Sequence, residues 1–574
     1  MAAPTPPLPY QDLLVRGALV VDGSGGTPYR ADTLVRDGRI TMIHRETDPG
    51  RRPVISRPGT TGRILDADGL ALTPGFIDMH AHSDLALLTD PAHEAKAAQG
   101  VTLEVLGQDG LSYAPVDDPT LAGLRVQLAG WNGDPEGLDW SWRSVGEYLD
   151  RLDAGPHGDG LAVNAAYLVP HGTLRALVLG WEDRAATPAE LELMNRRLDQ
   201  ALAEGAMGLS AGLSYSPGMY AGTAELVSLC RTVAARGGYF CPHHRSYGAH
   251  ALEAYAEMTE VAKQSGCALH LAHATMNFQV NAGRAGELLH LLDAALADGV
   301  DLTLDSYPYL PGSTTLAALL PGWATAGGPE ETLRRLAAPA ALAEIRAALE
   351  QHGSDGCHGV VADWDTVQVS GVRTAELRSA VGLTVSQLAA RDGVDPFTAY
   401  VDLLRTDGLG TTVLQHVGHE ENVRAIMRHP AHTGGSDGLL VGDRPHPRAW
   451  GTFPRYLGHY VRTEGVLGLA ECVRHLSAGP ARRLGLTDRG LVREGHRADL
   501  VLLDPQTVAA GATYEQPRAA PSGIPYVLVD GVPVVDDHRR TAATPGRSVR
   551  RGAGQDTGRG VSRSSSGRSR APSA

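Results

Sequence analysis

The middle of the chain alternates short apolar runs with longer amphipathic stretches. Apolar runs of four to seven residues recur in ALTPGFIDMH, VTLEVLG, LAVNAAYLV, GAMGLSAG, GGYFCPHH, ALHLAHAT, VDLTLDSYPY and TTVLQHV. Between them, stretches such as 191–202 and 253–263 place apolar residues at helical spacing. A strand followed by a helix, repeated about eight times, predicts an α/β fold, the parallel (β/α)8 TIM barrel. Catalytic groups of such barrels gather at the C-terminal ends of the strands.

Both ends of the chain carry a different pattern. Short β-prone runs alternate with Gly and Asp turns over Leu13–Asp66, and similar runs return at Arg497–Pro505 and Tyr526–Asp537. These runs fit two separate domains or one sheet assembled from both termini, and we favour one sheet. The sequence therefore predicts a small β-sandwich domain built from both ends of the chain.

These patterns also predict domain boundaries. We expect the β domain to consist of residues 1–73 and 485–550, and the barrel to span 74–484. An Ala-rich helical pattern over about 318–410 is longer than a barrel crossover needs, so it predicts a helical insertion near the barrel mouth. The composition of 551–574 cannot bury a core, which predicts a disordered tail.

Composition and charge narrow the function classes. With 574 residues, of which 43% are hydrophobic and 20% charged, the chain is long enough for a large enzyme domain and a smaller one. The formal charge of −14 argues against nucleic acid or an anionic membrane as the main partner. The five cysteines are odd in number and far apart, and we find no export signal and no run of eighteen apolar residues. We therefore expect a cytoplasmic protein without a membrane span.

The sharpest chemical signal is a pair of histidines, His80 and His82, at the end of the apolar strand TPGFIDMH. Alternation along a strand places residues i and i+2 on the same side, so both imidazoles can face the barrel mouth and share one metal ion. An isolated His-x-His pattern fits two ordinary histidines about equally well. His243 and His273 each close a further predicted strand, and four histidines at strand ends are hard to explain as packing.

Asp437, in HTGGSDG, follows the last predicted strand region. A carboxylate at that position can contact the metal and accept a proton from bound water, although Ser-Asp-Gly is also an ordinary turn. Histidines and a carboxylate at strand ends therefore predict hydrolysis by a metal-activated water.

Several further segments resemble one family in order along the chain. TPGFIDMHAHSD, GLSYSPGMYA, YFCPHHR, DSYPYLPGST, LPGWA, GGSDG and HPRAWGTFPRYLGHYVR are similar to segments of the D-aminoacylases, or N-acyl-D-amino-acid deacylases, of the amidohydrolase superfamily. The resemblance runs from about Leu14 to Arg550 and includes GLVREGHRADLVLLDP and PGRSVR. It implies cleavage of a linear amide, a small-molecule N-acyl-D-amino acid, into a carboxylate and a D-amino acid.

The resemblance also implies a metal centre of one or two ions. His80, His82 and Asp437 would bind one position, and His243 and His273 would bind the other. Asp437 would serve as general base and then as general acid.

One predicted ligand departs from the family pattern. The family has a cysteine that bridges the metals in a Gly-Asn-Cys-Gly turn after the second strand, whereas this chain has Gly-Gln-Asp-Gly at 107–110. Asp109 therefore takes the position of the cysteine, with Glu104 as a fallback that is better explained as a buried, paired carboxylate. Zinc remains the expected cofactor, but a harder carboxylate ligand makes Mn, Fe or Co more competitive.

Substrate contacts follow from the same resemblance. Tyr215 resembles the tyrosine that steadies the carbonyl oxygen, while Tyr307, Ser313 and Arg448 resemble a clamp on the substrate carboxylate, for which the planar guanidinium is suited. Where the family has a lysine two residues after the last histidine ligand, this chain has Thr275, so the expected carboxylate pocket lacks a cation, and a related deacylase of a non-standard N-acyl substrate stays open as an alternative.

Two other histidines, His244 and His171, lie in matching segments. Either is a candidate substrate contact, and a structural hydrogen-bonding role is favoured for both.

Three further alternatives stay open. A cyclic amidohydrolase of the hydantoinase or dihydroorotase type commonly uses a carboxylated lysine after the fourth strand, a position that neither Lys96 nor Lys263 occupies. A deaminase would leave the carboxylate-binding segments SYPYLPGS and HPRAWGTFPR unexplained. A non-enzymatic binding protein on the same scaffold ranks last.

Overall fold

The computed structural model describes residues 12–49 and 62–552. Apart from residues 551 and 552, the predicted disordered tail lies outside the described residues. The strands before the barrel are β1 (Asp12–Val20), β2 (Tyr29–Arg36), β3 (Arg39–Arg45), β4 (Gly62–Asp66) and β5 (Ala71–Pro74). The next eight, all parallel barrel strands, are β6 (Phe76–Asp78), β7 (Val101–Leu106), β8 (Asn164–Tyr167), β9 (Val169–Pro170), β10 (Gly208–Gly212), β11 (Tyr239–His243), β12 (Ala268–Leu271) and β13 (Leu302–Ser306).

The remaining strands belong to an insertion, the last barrel position and the C-terminal part of the chain. They are β14 (Gly312–Thr315), β15 (Val367–Gly371), β16 (Thr412–Gln415), β17 (His432–Gly434), β18 (Leu500–Leu503), β19 (Tyr526–Val529), β20 (Val532–Asp536) and β21 (Arg539–Arg540).

The barrel consists of two parallel sheets with the strand orders β6-β7-β8 and β9-β10-β11-β12-β13-β17. With β8 and β9 as two parts of one broken strand, these supply eight strand positions among the described residues. The sheets are joined at both edges, because Met207 N donates to Tyr167 O over 2.8 Å and Met79 N donates to Gly434 O over 3.2 Å. The predicted TIM barrel is confirmed.

Helices follow most barrel strands and bury their apolar faces on them. Up to β13 they are α1 (Ala86–Thr89), α2 (Glu94–Ala97), α3 (Asp118–Gln127), α4 (Ala129–Asn132), α5 (Val145–Ala154), α6 (His171–Leu179), α7 (Pro188–Ala203), α8 (Thr223–Ala235), α9 (Ala251–Ser265) and α10 (Ala285–Ala297). Helix α7 begins with Pro188 in its first turn and a capping box between Thr187 and Glu190, which satisfies the free N–H groups at its start. The helical spacing noted at 191–202 and 253–263 corresponds to α7 and α9.

An insertion between β13 and β17 lies over the barrel mouth. Its helices are α11 (Gly322–Thr325), α12 (Pro329–Arg335), α13 (Pro339–Ala347), α14 (Val385–Asp392) and α15 (Pro396–Thr406), and they share a separate apolar core with strands of the insertion. These strands form the antiparallel sheet β14-β16-β15. The helical insertion is therefore confirmed and contains, in addition, a sheet that the sequence pattern did not indicate.

One strand assignment was wrong. The segment TTVLQHV was expected to supply a barrel strand, but Thr412–Gln415 pairs antiparallel with Gly312–Thr315 in the insertion. The last barrel position is instead β17, His432–Gly434. Three residues that include a histidine and a glycine carry no apolar run, so the hydrophobic pattern could not mark them.

The two ends of the chain form one sheet. Nine strands run in the order β21-β20-β19-β18-β5-β1-β2-β3, with β4 paired to β1. Leu500–Leu503 pairs antiparallel with Ala71–Pro74, which links the C-terminal strands directly to the N-terminal ones. The expectation of one sheet from both termini is confirmed, whereas the domain limits at residues 73 and 484 stay predictions.

The last helices are α16 (Glu420–Met427), α17 (Arg448–Arg455), α18 (Leu469–Leu476) and α19 (Ala478–Arg483). Ala481 and Leu484 join inward-facing side chains of the barrel strands, such as Ile77, Leu103 and Cys241, in one buried cluster. No helix among residues 12–49 and 62–552 is long and apolar enough to cross a membrane.

Candidate metal centre

The candidate ligands gather at the C-terminal ends of different barrel strands. His80 lies two residues beyond β6, Asp109 three beyond β7, His273 two beyond β12 and Asp437 three beyond β17, while His243 is the last residue of β11. All five are buried. The register of parallel strands brings such positions to one edge of a barrel, which is where catalytic groups are found in this fold.

Two groups of potential ligands share one carboxylate. His80, His82, Asp109 and Asp437 form the first group; Asp109, His243 and His273 form the second. Within each group the ligand atoms all lie within 4.8 Å of one another.

The distances within the first group are short. Asp109 Oδ1 lies 3.4 Å from His80 Nε2, and its Oδ2 lies 3.5 Å from His82 Nε2. Asp437 Oδ1 lies 3.2 Å from His82 Nε2. In the second group, Asp109 Oδ1 lies 3.3 Å from His273 Nε2, and that nitrogen lies 3.0 Å from His243 Nδ1. Asp109 thus occupies the bridging position between two potential cation sites.

The turn that carries Asp109 depends on its two glycines. A Cβ added to Gly107 would lie 2.2 Å from the carbonyl oxygen of Leu168, and one added to Gly110 would lie 2.4 Å from the Gly212 nitrogen. Both glycines have φ near +70°, a conformation that residues with a side chain adopt rarely. The turn therefore fits only with glycine at both positions.

Three candidate ligands themselves have a left-handed backbone. Asp109, Asp437 and His273 have φ of 53°, 49° and 30°. Non-glycine residues in this region are uncommon and concentrate at functional sites, where the surrounding structure holds them. The strain is local to the residues that approach the shared centre.

The electrostatics of the cluster favour a positive charge at its centre. Burial opposes ionisation of Asp109, but His80 and His273 outweigh it and lower the pKa of Asp109 well below its usual value. For Asp437, burial is likewise outweighed by Arg448 and His82, so its pKa is lowered. Burial lowers the pKa of His243 well below its usual value, whereas the neighbouring carboxylates, Asp109 first, outweigh burial and raise the pKa of His80 and His82. The two carboxylates therefore draw positive charge to this centre, and a bound cation would supply it in place of the imidazole protons.

The donor set also fits a divalent metal. Both ring nitrogens of His80, and Oδ1 of Asp109, are buried without a hydrogen-bond partner. Buried polar atoms normally have a bonding partner, so these three atoms indicate a binding site for one. Imidazole nitrogens and carboxylate oxygens at this spacing are ligands of zinc and of related divalent ions.

Asp305, which the sequence analysis missed, contacts the backbone or the ring of two candidate ligands. Asp305 Oδ1 accepts from His273 N over 2.9 Å, and its Oδ2 lies 3.7 Å from His80 Nδ1 and 3.0 Å from His270 Nε2. Outer carboxylates of this kind orient metal-binding imidazoles. Asp305 is the penultimate residue of β13, in the predicted strand segment VDLTLDSYPY, and that position near the strand end was the available signal.

The fallback ligand Glu104 lies elsewhere. It accepts from Ser83 Oγ over 3.0 Å, lies 2.7 Å from His93 Nε2 and pairs with Lys96 Nζ at 3.0 Å. Lys96 also donates to Asp78 at 2.7 Å, and Lys263 pairs with an aspartate on the surface. Neither lysine joins the ligand groups, so a carboxylated lysine has no counterpart among the described residues there.

A cavity of about 700 Å³, open solvent included, lies over the ligands. Tyr215 lines it and places its hydroxyl 3.1 Å from Thr314 Oγ1. Burial raises the pKa of Tyr215 above its usual value, so its hydroxyl remains a donor. Trp131, which the sequence analysis missed, packs between the rings of His82 and Tyr215 at centroid distances of 5.2 and 5.0 Å.

The predicted carboxylate clamp is only partly at the cavity wall. Tyr307 and Ser313 line the cavity. Arg448 is fully buried behind them, with its guanidinium 4.4 Å from the Tyr307 ring centroid and its Nη2 2.8 Å from Asp437 Oδ2. Its Nε and Nη1 have no hydrogen-bond partner, which leaves two buried donors beside the cavity.

Of the remaining residues singled out in the sequence, one lines the cavity and two contact other side chains instead. Thr275 lines the cavity and donates to Asn277 Oδ1 over 2.7 Å. His244 packs against the rings of Tyr247 and Tyr255 and is not among the residues that line the cavity. His171 pairs with a buried glutamate, Glu225, at 2.8 Å, which matches the structural role favoured for it.

Comparison with known proteins identifies the family to which the chain is similar. Residues 63–535 match the model of the amidohydrolase family. The chain is 33% identical over 542 residues to a D-aminoacylase of Alcaligenes xylosoxydans xylosoxydans, which covers 94% of this chain and 98% of that protein. It is 35% identical over 548 residues to an N-acyl-D-glutamate deacylase of the same organism, covering 94% and 97% of the two chains.

A solved structure is similar over the same range. The N-acyl-D-glutamate deacylase of Bordetella bronchiseptica, complexed with zinc and a phosphonate inhibitor that mimics the tetrahedral intermediate, superposes with a TM-score of 0.78. Its sequence is 32% identical, and the match covers 94% of this chain and 100% of that one.

Proposed function

The chain belongs to the amidohydrolase family, and we propose that it hydrolyses the amide bond of N-acyl-D-amino acids to a carboxylate and a D-amino acid. The observation that carries this proposal is the pair of ligand groups that share Asp109 beside Asp437, in one cavity with Tyr215. The same cavity contains residues suited to each part of an amide hydrolysis.

We assign the ligands as His80, His82 and Asp437 at one position, His243 and His273 at the other, with Asp109 between them. Zinc is the proposed ion, supported by the zinc in the related deacylase, and the carboxylate bridge leaves Mn, Fe or Co as competitors. A divalent cation bound there would lower the pKa of a coordinated water to about 7 and polarise the amide carbonyl.

We assign the side chains of the cavity separate roles in the reaction. Asp437, held ionised by Arg448 and His82, takes a proton from the attacking water and delivers it to the departing amine nitrogen. Tyr215 donates a hydrogen bond to the carbonyl oxygen as negative charge develops on it. Tyr307 and Ser313 bind the carboxylate of the amine half, with the buried Arg448 behind them.

A cytoplasmic location is part of the proposal. All five cysteines are buried and free, as is usual for proteins of reducing compartments.

A hydrolysis screen on metal-reconstituted protein tests the function. N-acetyl and N-formyl derivatives of D- and L-amino acids are compared with ring amides, and the released amine is quantified. We expect free D-amino acid from the linear substrates. Ring opening without release of any D-amino acid would refute the proposal and favour a cyclic amidohydrolase.

A further inference from the structure

Lys96 is a buried lysine that connects three segments of the barrel. Its side chain is fully buried, and its ammonium donates to Asp78 Oδ2 over 2.7 Å, donates to Ser436 Oγ over 2.8 Å and lies 3.0 Å from Glu104 Oε1. An ammonium group has three N–H donors, so these three acceptors use all of them. Lys96 is therefore fixed between the end of β6, the middle of β7 and the segment that follows β17.

Two of these acceptors lie beside candidate metal ligands. Asp78 lies two residues before His80, and its Oδ1 accepts from His80 N over 3.2 Å and from Ser436 N over 2.8 Å. Ser436 lies directly before Asp437, and its Oγ donates to His80 O over 3.2 Å. Asp437 N donates to the same carbonyl oxygen over 2.8 Å. Lys96 thus binds both side chains that join the backbone of one ligand to the segment of the other.

The charge of Lys96 makes these contacts hard to break. Burial opposes its charged form, but Asp78 and Glu104 outweigh burial and raise the pKa of Lys96 above its usual value. A buried ammonium that loses an acceptor is left with an unsatisfied donor, which costs more free energy than the hydrogen bond itself contributes. Rotation of Ser436 away from Lys96 is therefore disfavoured, and with it any shift of the segment that carries Asp437.

His80 and Asp437 need such a link because they come from opposite ends of the barrel sequence. His80 follows β6 and Asp437 follows β17, the first and last barrel positions, and His80 Nε2 lies 3.8 Å from Asp437 Oδ1. Asp437 also has a left-handed backbone with φ of 49°, which persists only where the surroundings hold it. Ligands of one cation must be placed to within about 0.5 Å, and residues outside the ligand set commonly supply that precision.

We propose that Lys96 is a positioning residue of the metal centre, which fixes His80 and Asp437 relative to one another through Asp78 and Ser436. Lys96 does this without contact to the ion or to the substrate. The inference rests on the ligand assignment made for the proposed function and adds to it a residue on which both ligands depend.

Ser436→Ala tests the link without removing the buried charges. It deletes the hydroxyl between Lys96 and His80 O, while Asp78 and Glu104 still pair with the ammonium. The dissociation constant for Zn is measured on the apoprotein by competition with a chromogenic chelator, and kcat is measured at saturating Zn with the best substrate of the hydrolysis screen. We expect the dissociation constant to rise by about 10- to 100-fold and kcat to fall at least about tenfold.

Ser477→Ala is the matched control. Ser477 is as fully buried as Ser436, but its Oγ donates to Val473 O over 2.6 Å, within the last helices of the chain. The control loses a buried hydrogen bond of similar strength, so urea denaturation should show a similar loss of stability in both variants. Only Ser436→Ala should change the dissociation constant for Zn and kcat.

Lys96→Met removes the ammonium itself and should weaken Zn binding at least as much as Ser436→Ala. Because it leaves Asp78 and Glu104 buried without their cation, Ser436→Ala decides the outcome if Lys96→Met does not fold. Wild-type values of both quantities in folded Ser436→Ala, or equal changes in Ser477→Ala, would overturn the positioning role and leave the proposed function standing. A wild type that neither binds Zn nor hydrolyses any substrate of the screen would refute the proposed function, and the inference with it.

Discussion

Arg448 holds Asp437 by an ion pair of 2.8 Å between its Nη2 and Oδ2 of the carboxylate. The arginine is fully buried, and the aspartate turns its other oxygen, Oδ1, toward His82 at 3.2 Å. The carboxylate is thus fixed from one side by a permanent cation and from the other by a candidate metal ligand. We infer that Arg448 positions the proton-transfer group as well as the substrate.

Loss of this guanidinium should slow turnover. In Arg448→Met, kcat/KM should fall at least tenfold, since about 1.4 kcal/mol of lost stabilisation corresponds to a factor of ten in rate. Arg448 lowers the pKa of Asp437, so its removal should move the acidic limb of the pH profile to higher pH. Arg455→Met on the same helix is the control, because Arg455 stacks on Tyr309 instead. If the acidic limb of the Arg448→Met profile lies at the same pH as that of the wild type, Arg448 does not position Asp437.

Removal of the proposed base should be more severe. Asp437→Asn keeps the size of the side chain but cannot accept the proton, so turnover should be abolished while the circular-dichroism spectrum stays that of the wild type. Retention of more than about 5% of the wild-type kcat would refute the assignment of Asp437 as base.

Asp109 should set the metal preference. Asp109→Cys replaces the hard carboxylate by a soft thiolate, and the bound Zn to Mn ratio should rise when the apoprotein is offered both ions in equal amount. The ratio is read by mass spectrometry of the metals after gel filtration. Equal ratios in the variant and the wild type would show that Asp109 does not contact the ion.

Glu104 should contribute to stability. Burial opposes its ionised form, but Lys96 and His93 outweigh burial and lower the pKa of Glu104 from 4.5 to about 2. Its contribution is therefore complete above pH 4.5 and is lost as the pH falls through 2. Glu104→Gln, which leaves Lys96 with one carboxylate fewer, should lower the free energy of unfolding at neutral pH by about 3 kcal/mol.

Urea denaturation as a function of pH measures this difference. The gap between wild type and Glu104→Gln should narrow below pH 4.5, where the carboxylate begins to take up protons in the unfolded chain while it stays ionised in the folded protein. Glu136→Gln, at an exposed glutamate, should show no gap at any pH. A gap that stays constant down to pH 2 would contradict the ion-pair account.

Much of the fold was predictable because its signals are local. Barrel strands such as Val101–Leu106 are short, mostly apolar runs, and helices such as Pro188–Ala203 carry an apolar face and a capping box. Strand β17 escaped because its three residues have no apolar run. The sheet within the insertion escaped because pairing between Gly312–Thr315 and Thr412–Gln415 joins segments about a hundred residues apart.

The candidate site was likewise predictable from the sequence only in part. Histidines at strand ends could be identified from the pattern, and the structure brings all four together with Asp109 and Asp437. Three features of the site depend on side-chain packing between segments that are distant in sequence. Arg448 is buried behind Tyr307, His244 packs on Tyr255 away from the cavity, and Asp305 accepts a hydrogen bond from His273. Spacing along the chain does not encode such packing.

The central claim is that histidines from separate strand ends jointly hold a divalent cation that turnover requires. Metal content and hydrolysis of N-acetyl-D-leucine, measured on the same samples of wild type and of a His80→Ala, His82→Ala double variant, test it most directly. The account predicts one or two equivalents of metal in the active wild type. In the double variant it predicts loss of at least one equivalent, or of the single ion where the wild type holds one, together with loss of turnover. Wild-type metal content and turnover in a folded double variant would contradict it.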